Sequence, residues 1–122
     1  MPALAASVVG PAESISGARL TYRPEDLAVV DAILGGFGEP GSDAMAETVW
    51  CFGAYVGQTL VESAGGVWID GPDAERLGAM FAVRLPNGVV ANPVGRAFRR
   101  VDEGASADLS YFYRIMTEAP AS

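Results

Sequence analysis

The chain has no histidine and no lysine, and its only cysteine is Cys51. Without histidine it lacks the commonest general base, the usual activator of a nucleophile and the commonest zinc ligand. Without lysine it can form neither a Schiff base nor a Walker-type phosphate clamp. A single cysteine permits no internal disulfide, so the fold does not depend on an oxidising compartment. Positive charge is scarce as well. Eight basic residues, all arginine, stand against 15 acidic ones and leave a net charge of −7. Such a surface repels a phosphate backbone, so no nucleic acid is expected among the partners. No stretch reaches the roughly 20 apolar residues of a membrane span. The short apolar run at the N-terminus has no positive charge before it, as a secretory signal would. The expectation is a cytoplasmic protein that does not engage a membrane.

What is present fits one domain. The 122 residues are 50% apolar, enough to bury a single core. Residues 1–20, rich in Ala, Ser, Gly and Pro, read as a flexible arm ahead of a domain spanning 21–122. The arginine-only basic set and the many alanines and glycines match the bias of a GC-rich bacterial genome.

Helix signals begin at Pro24, with Glu25 and Asp26 at the positive end of the helix dipole and Gly35-Gly36 as a stop. Ser42 or Asp43 is placed to cap a second, longer helix over 43–63. There Val49, Phe52, Val56 and Leu60 form an apolar stripe, and Gly53 and Gly57 lie on a neighbouring one. Two glycines inside a helix cost about 1 kcal/mol each relative to alanine, which predicts close approach of another element to that face. Gly65-Gly66 ends the helix. Strands are expected over 67–70, 80–85 and 89–91, with a surface loop over 71–78 and a turn at Pro86-Asn87-Gly88. A short helix over 94–101 and a last one capped by Ser106 complete the chain. The expected fold is α+β: a small three-stranded antiparallel sheet covered by about four helices, in the order ααβββαα.

The residues that could carry chemistry are few. Cys51, between Trp50 and Phe52, reads as a buried small hydrophobe. Asp70, Asp73 and Glu75 match no calcium-loop spacing and read as a solvated loop. Neither a metal nor a cofactor is expected. Arg96, Arg99 and Arg100 form the only basic cluster. They suit an anion or an acidic partner, or else simply pair with Asp102 and Glu103. Trp50, Tyr55, Trp68, Tyr111 and Tyr113 could line a pocket or fill a core.

The run Phe52-Gly53-Ala54-Tyr55-Val56-Gly57-Gln58-Thr59-Leu60, followed by Gly65-Gly66-Val67-Trp68, resembles the DUF3806 type of bacterial domain. Asn92-Pro93-Val94, Arg99-Arg100-Val101, Gly104 and Asp108-Leu109 extend the resemblance over residues 45–115. It implies a helix with a Gly-x-x-x-Gly motif, a Gly-x-x-Trp strand and a proline ahead of a basic helix, and it carries no established activity. Such sequences often have an acid after the second helix glycine, where this chain has Gln58.

The functional expectation is a non-enzymatic binding or accessory protein acting through a protein partner or a homodimer. One alternative is a small-molecule-binding protein or a histidine-free enzyme of a biosynthetic pathway. Candidate binding residues are Tyr55, Gln58, Glu62, Trp68, Arg96 and Arg99. A third reading is an immunity or antitoxin-like protein, whose acidic surface would neutralise a basic partner.

Overall fold

The computed structural model describes residues 1–120. Its centre is helix α5, Ala46–Ala64, whose residues from Phe52 to Leu60 are all buried. Gly65, at φ 75°, closes α5 in the left-handed conformation that glycine adopts at no steric cost. The chain then enters a three-stranded antiparallel sheet of β1 (Val67–Ile69), β2 (Ala82–Arg84) and β3 (Val90–Ala91), in spatial order β1-β2-β3. Trp68 is paired with Val83, and Val83 in turn with Ala91. The hairpin between β2 and β3 turns at the expected Pro86-Asn87-Gly88. Gly88 has φ 89°, and the Leu85 N–H donates to the Val89 carbonyl at 2.8 Å. The Asn87 amide donates to the Met116 and Ala119 carbonyls, which ties the hairpin to the end of the last helix.

The fold is α+β as expected, but with more helix. Besides α5, the expected helices are α3 (Leu27–Gly35, entered through a 3-10 turn at Pro24–Asp26), α7 (Pro93–Glu103) and α8 (Leu109–Glu118). Helices α1 (Pro2–Ala6), α2 (Val9–Ser16), α4 (Gly41–Ala44) and α6 (Pro72–Glu75) come in addition. The flexible arm read from residues 1–20 is corrected. Ala5, Val8, Ala12 and Leu20 are buried in the main core, and α1 packs against α5. Small side chains let α1 lie close to α5 while α2 packs on α3, a tertiary gain that composition does not reveal. The loop over 71–78 contains the helical turn α6, opened by Pro72.

The expected caps differ too. Ser42 lies inside α4, and its hydroxyl donates to Asp102 on α7 at 2.8 Å; α5 begins without a side-chain cap. Asp108, not Ser106, caps α8 by accepting the Tyr111 N–H at 2.8 Å. Asn92 caps α7 through the Gly95 N–H. A half-buried ion pair fixes the helix arrangement: Arg100 on α7 meets Asp31 on α3 at 2.8 Å, and the same carboxylate oxygen accepts the Leu109 N–H that opens α8.

The glycines of α5 have the neighbours their cost implies. A Cβ built on Gly53 would lie 2.6 Å from the Val94 Cα of α7. One on Gly57 would collide with the Trp68 indole and sit 2.9 Å from Pro93 Cγ. The bare face of α5 therefore receives both the start of α7 and the tryptophan of β1.

Candidate functional site

Gln58, Glu62 and Trp68 form one connected edge along α5, and Tyr55 lies apart from it. Trp68 Nε1 donates to Gln58 Oε1 at 2.9 Å, and Gln58 Nε2 donates to Glu62 Oε2 at 3.1 Å. The amide thus holds the indole over Gly57 and is itself oriented by the carboxylate. Gln58 is the residue that departs from the acid of the resembling domains. An amide here supplies both the acceptor that Trp68 needs and a donor for Glu62, whereas a carboxylate supplies acceptors only.

One turn away, Tyr55 is fully buried beneath Tyr22, with ring centroids 4.8 Å apart and planes 22° apart. The Tyr55 hydroxyl accepts the Tyr22 N–H at 2.8 Å and donates to Asp26 Oδ2 at 3.4 Å. Tyr22 has φ 62°, a left-handed conformation unfavourable for a side chain of this size. Its N–H bond to Tyr55, its carbonyl bond from Ser63 at 2.5 Å and the ring stack hold it there. Burial raises the hydroxyl pKa of Tyr55 far above its ordinary value. Burial and the nearby Glu62 charge raise that of Tyr22 as well. Both phenols stay neutral at ordinary pH, and the Tyr55 hydroxyl is taken by Tyr22 and Asp26.

Asp26 anchors the other end. Its Oδ2 accepts the Thr21 N–H at 2.7 Å and the Arg23 N–H at 3.4 Å, besides the Tyr55 hydroxyl. Burial pushes its carboxyl pKa up, but these donors and the Arg23 charge outweigh burial and hold it below the usual carboxylate range. A carboxyl depressed in the folded state stabilises the fold fully above its unfolded value, and that contribution is lost as pH falls through the folded value. Urea midpoints measured from about pH 6 to about pH 3 should therefore drop on the acid side. Asp26→Asn, with no carboxyl to titrate, should flatten that drop; an unchanged acid limb would exclude Asp26 as its source.

Arg96 and Arg99 take no part in this edge. Arg99 and Glu103 form a two-bond pair at 2.9 and 3.1 Å on an exposed face, and Arg100 is held by Asp31. Arg96 has no carboxylate within ion-pair distance among the described residues. Its Nε donates to the Ala107 carbonyl at 3.1 Å, and its guanidinium lies over the Phe112 ring. Burial and the neighbouring Arg99 charge push its pKa down, although a guanidinium remains protonated. Asp73 is taken by Arg76 and Arg84, and among the described residues no group of three possible metal ligands converges.

The five aromatics do not meet in one pocket. Tyr55 is core, Trp68 covers Gly57, and Tyr111 borders a groove with Arg96 and Arg114. Trp50 lies between two adjoining surface grooves. One, of about 260 Å³, is lined by Met80, Phe81, Val94 and Phe98; the other, of about 510 Å³, by Leu4, Ala46, Glu47 and Cys51. Trp50 meets Phe81 edge to face, with centroids 6.5 Å apart, and Met80 is 72% exposed. The periodicity of the sequence draws attention to the buried stripe of α5, whereas this face joins α1, α5, α7 and a loop, and no single segment signals it.

Among the described residues no helix is long and apolar enough to cross a membrane. No family model, curated protein or solved structure matches the chain, so its likeness to the DUF3806 type rests on the motifs quoted above.

Proposed function

We propose that the chain is a non-enzymatic binding protein that engages a basic protein partner through the Trp50 face. The observation that carries this reading is the pair of grooves flanking Trp50, one mainly apolar beside the exposed Leu4 and the other, of mixed polarity, beside the exposed Met80. Exposed apolar patches of this kind mark interaction sites on soluble domains. The smaller groove has room for one apolar anchor side chain, the arrangement that concentrates binding energy at interfaces. Charge favours a basic partner over a second copy. The chain carries −7 and Glu47 borders the face, so two copies repel while a cationic partner is steered in. An immunity or antitoxin-like role belongs to the same class of partner. Membership of the DUF3806 type is part of this proposal, carried by the run from Phe52 to Trp68.

The test is chemical cross-linking and capture from the native host, with the wild-type chain and Met80→Asp side by side. Met80 is exposed, so its substitution should leave stability within about 0.5 kcal/mol while weakening partner binding by about tenfold or more. Capture should also weaken with salt. The reading is overturned by a captured protein that Met80→Asp retains equally, or by a dimer in light scattering that Met80→Asp dissociates.

A further inference from the structure

Arg19, Arg23, Arg76, Arg84, Arg99 and Arg100 are each ion-paired with a carboxylate. Arg96 and Arg114 are not, among the described residues, and both line one groove of about 580 Å³ between the first turn of α7, the Ala105-Ser106 turn and α8. In a chain with 15 acidic residues and eight arginines, two guanidiniums on the same groove with no ion pair among the described residues call for an explanation. Each is held instead by a ring face, Arg96 at 5.3 Å from the Phe112 centroid and Arg114 at 5.6 Å from that of Tyr111. A guanidinium held by its flat face keeps its N–H edge for an acceptor, and that edge matches a carboxylate in shape and charge. Arg96 also fixes its Nε on the Ala107 carbonyl, which presets the fork and lowers the ordering cost of a bond made by its remaining donors.

The rest of the surface narrows the ligand. Asp108 lines the same groove, so its two guanidiniums and one carboxylate leave a single positive charge, suited to a monoanion and not to a phosphate dianion. Beyond Arg96 the surface continues into a second groove of about 460 Å³, where Leu77, Val90, Phe112 and Met116 supply an apolar wall. Arg96 belongs to both grooves. We infer that this double groove binds a small organic monocarboxylate with an alkyl or aryl body. Its carboxylate lies between Arg96 and Arg114, and its hydrocarbon lies along Leu77, Phe112 and Met116. The second groove adjoins the smaller Trp50 groove through Asn92 and Gly95, but the inference does not depend on that face.

The experiment is a titration of the full chain followed by amide resonances, with 4-phenylbutyrate, its neutral amide and inorganic phosphate as probes. Phenylbutyrate should shift residues of both grooves saturably, with the amide and phosphate each weaker by about tenfold or more. Arg114 is exposed, so Arg114→Gln keeps the fold and should weaken phenylbutyrate by about tenfold. Leu77→Asp should weaken it through the apolar half. Equal binding of acid and amide, equal binding of phosphate, or an Arg114→Gln variant that binds as the wild type does would each overturn the assignment.

Discussion

Gly53→Ala is expected to destabilise the protein by about 2 kcal/mol, although alanine is the better helix former by about 1 kcal/mol. The new methyl would stand 2.6 Å from the Cα of Val94, a backbone atom that no rotamer change can remove. Helix α7 would have to slide along α5, and its seat there also sets the Arg100–Asp31 pair and the Ser42–Asp102 bond. Interiors are packed too densely to absorb such a shift cheaply. Gly10→Ala gives the internal control, because Gly10 lies in α2 with nothing within 4 Å of its would-be Cβ. It should stabilise by about 0.5–1 kcal/mol. Opposite signs in urea unfolding of the two variants would place the cost in contact and not in helix propensity. Two stabilising substitutions would contradict the packing described here.

Asp26→Ala should cost about 2–4 kcal/mol. One buried carboxylate satisfies the N–H groups of Thr21 and Arg23 and the hydroxyl of Tyr55, which in turn holds Tyr22 at φ 62°. Removing it strands several donors at once, and a stranded buried donor bears its full desolvation penalty. Near-UV circular dichroism should change with the loss, because the Tyr22–Tyr55 stack lies next to the carboxylate. A cost below about 0.5 kcal/mol would mean that water replaces the carboxylate at no loss.

Locally encoded features were legible in the sequence. The double glycine at Gly65, the Pro86-Asn87-Gly88 turn and the stripe of Val49, Phe52, Val56 and Leu60 each follow from backbone sterics or periodicity, and each lies where expected. Gly53 and Gly57 announced a close neighbour, though not that it would be Val94 and Trp68. The N-terminal helices were not legible, since Ala5 and Ala12 are buried by what packs on them and not by any pattern of their own. Ser42 looked like a cap because serine caps helices in general. Its hydroxyl goes to Asp102, a partner 60 residues away.

The candidate site was legible in part. Gln58, Glu62 and Trp68 do meet, yet their bonds are spent on one another. Arg96 was legible only as a member of the Arg96, Arg99 and Arg100 cluster. Its companion in the first groove is Arg114, 18 positions on, while Arg99 lines the second. The Trp50 face gathers Leu4, Met80 and Phe98 from segments with no shared signature.

The central claim is that the α5 edge builds the fold while the Trp50 face meets the partner. Partner affinity of Met80→Asp and Glu62→Ala, both exposed positions, measured side by side at matched stability, tests it most directly. The account predicts a loss of about tenfold or more for Met80→Asp and wild-type affinity for Glu62→Ala. Loss confined to Glu62→Ala, with Met80→Asp binding as the wild type does, would contradict it.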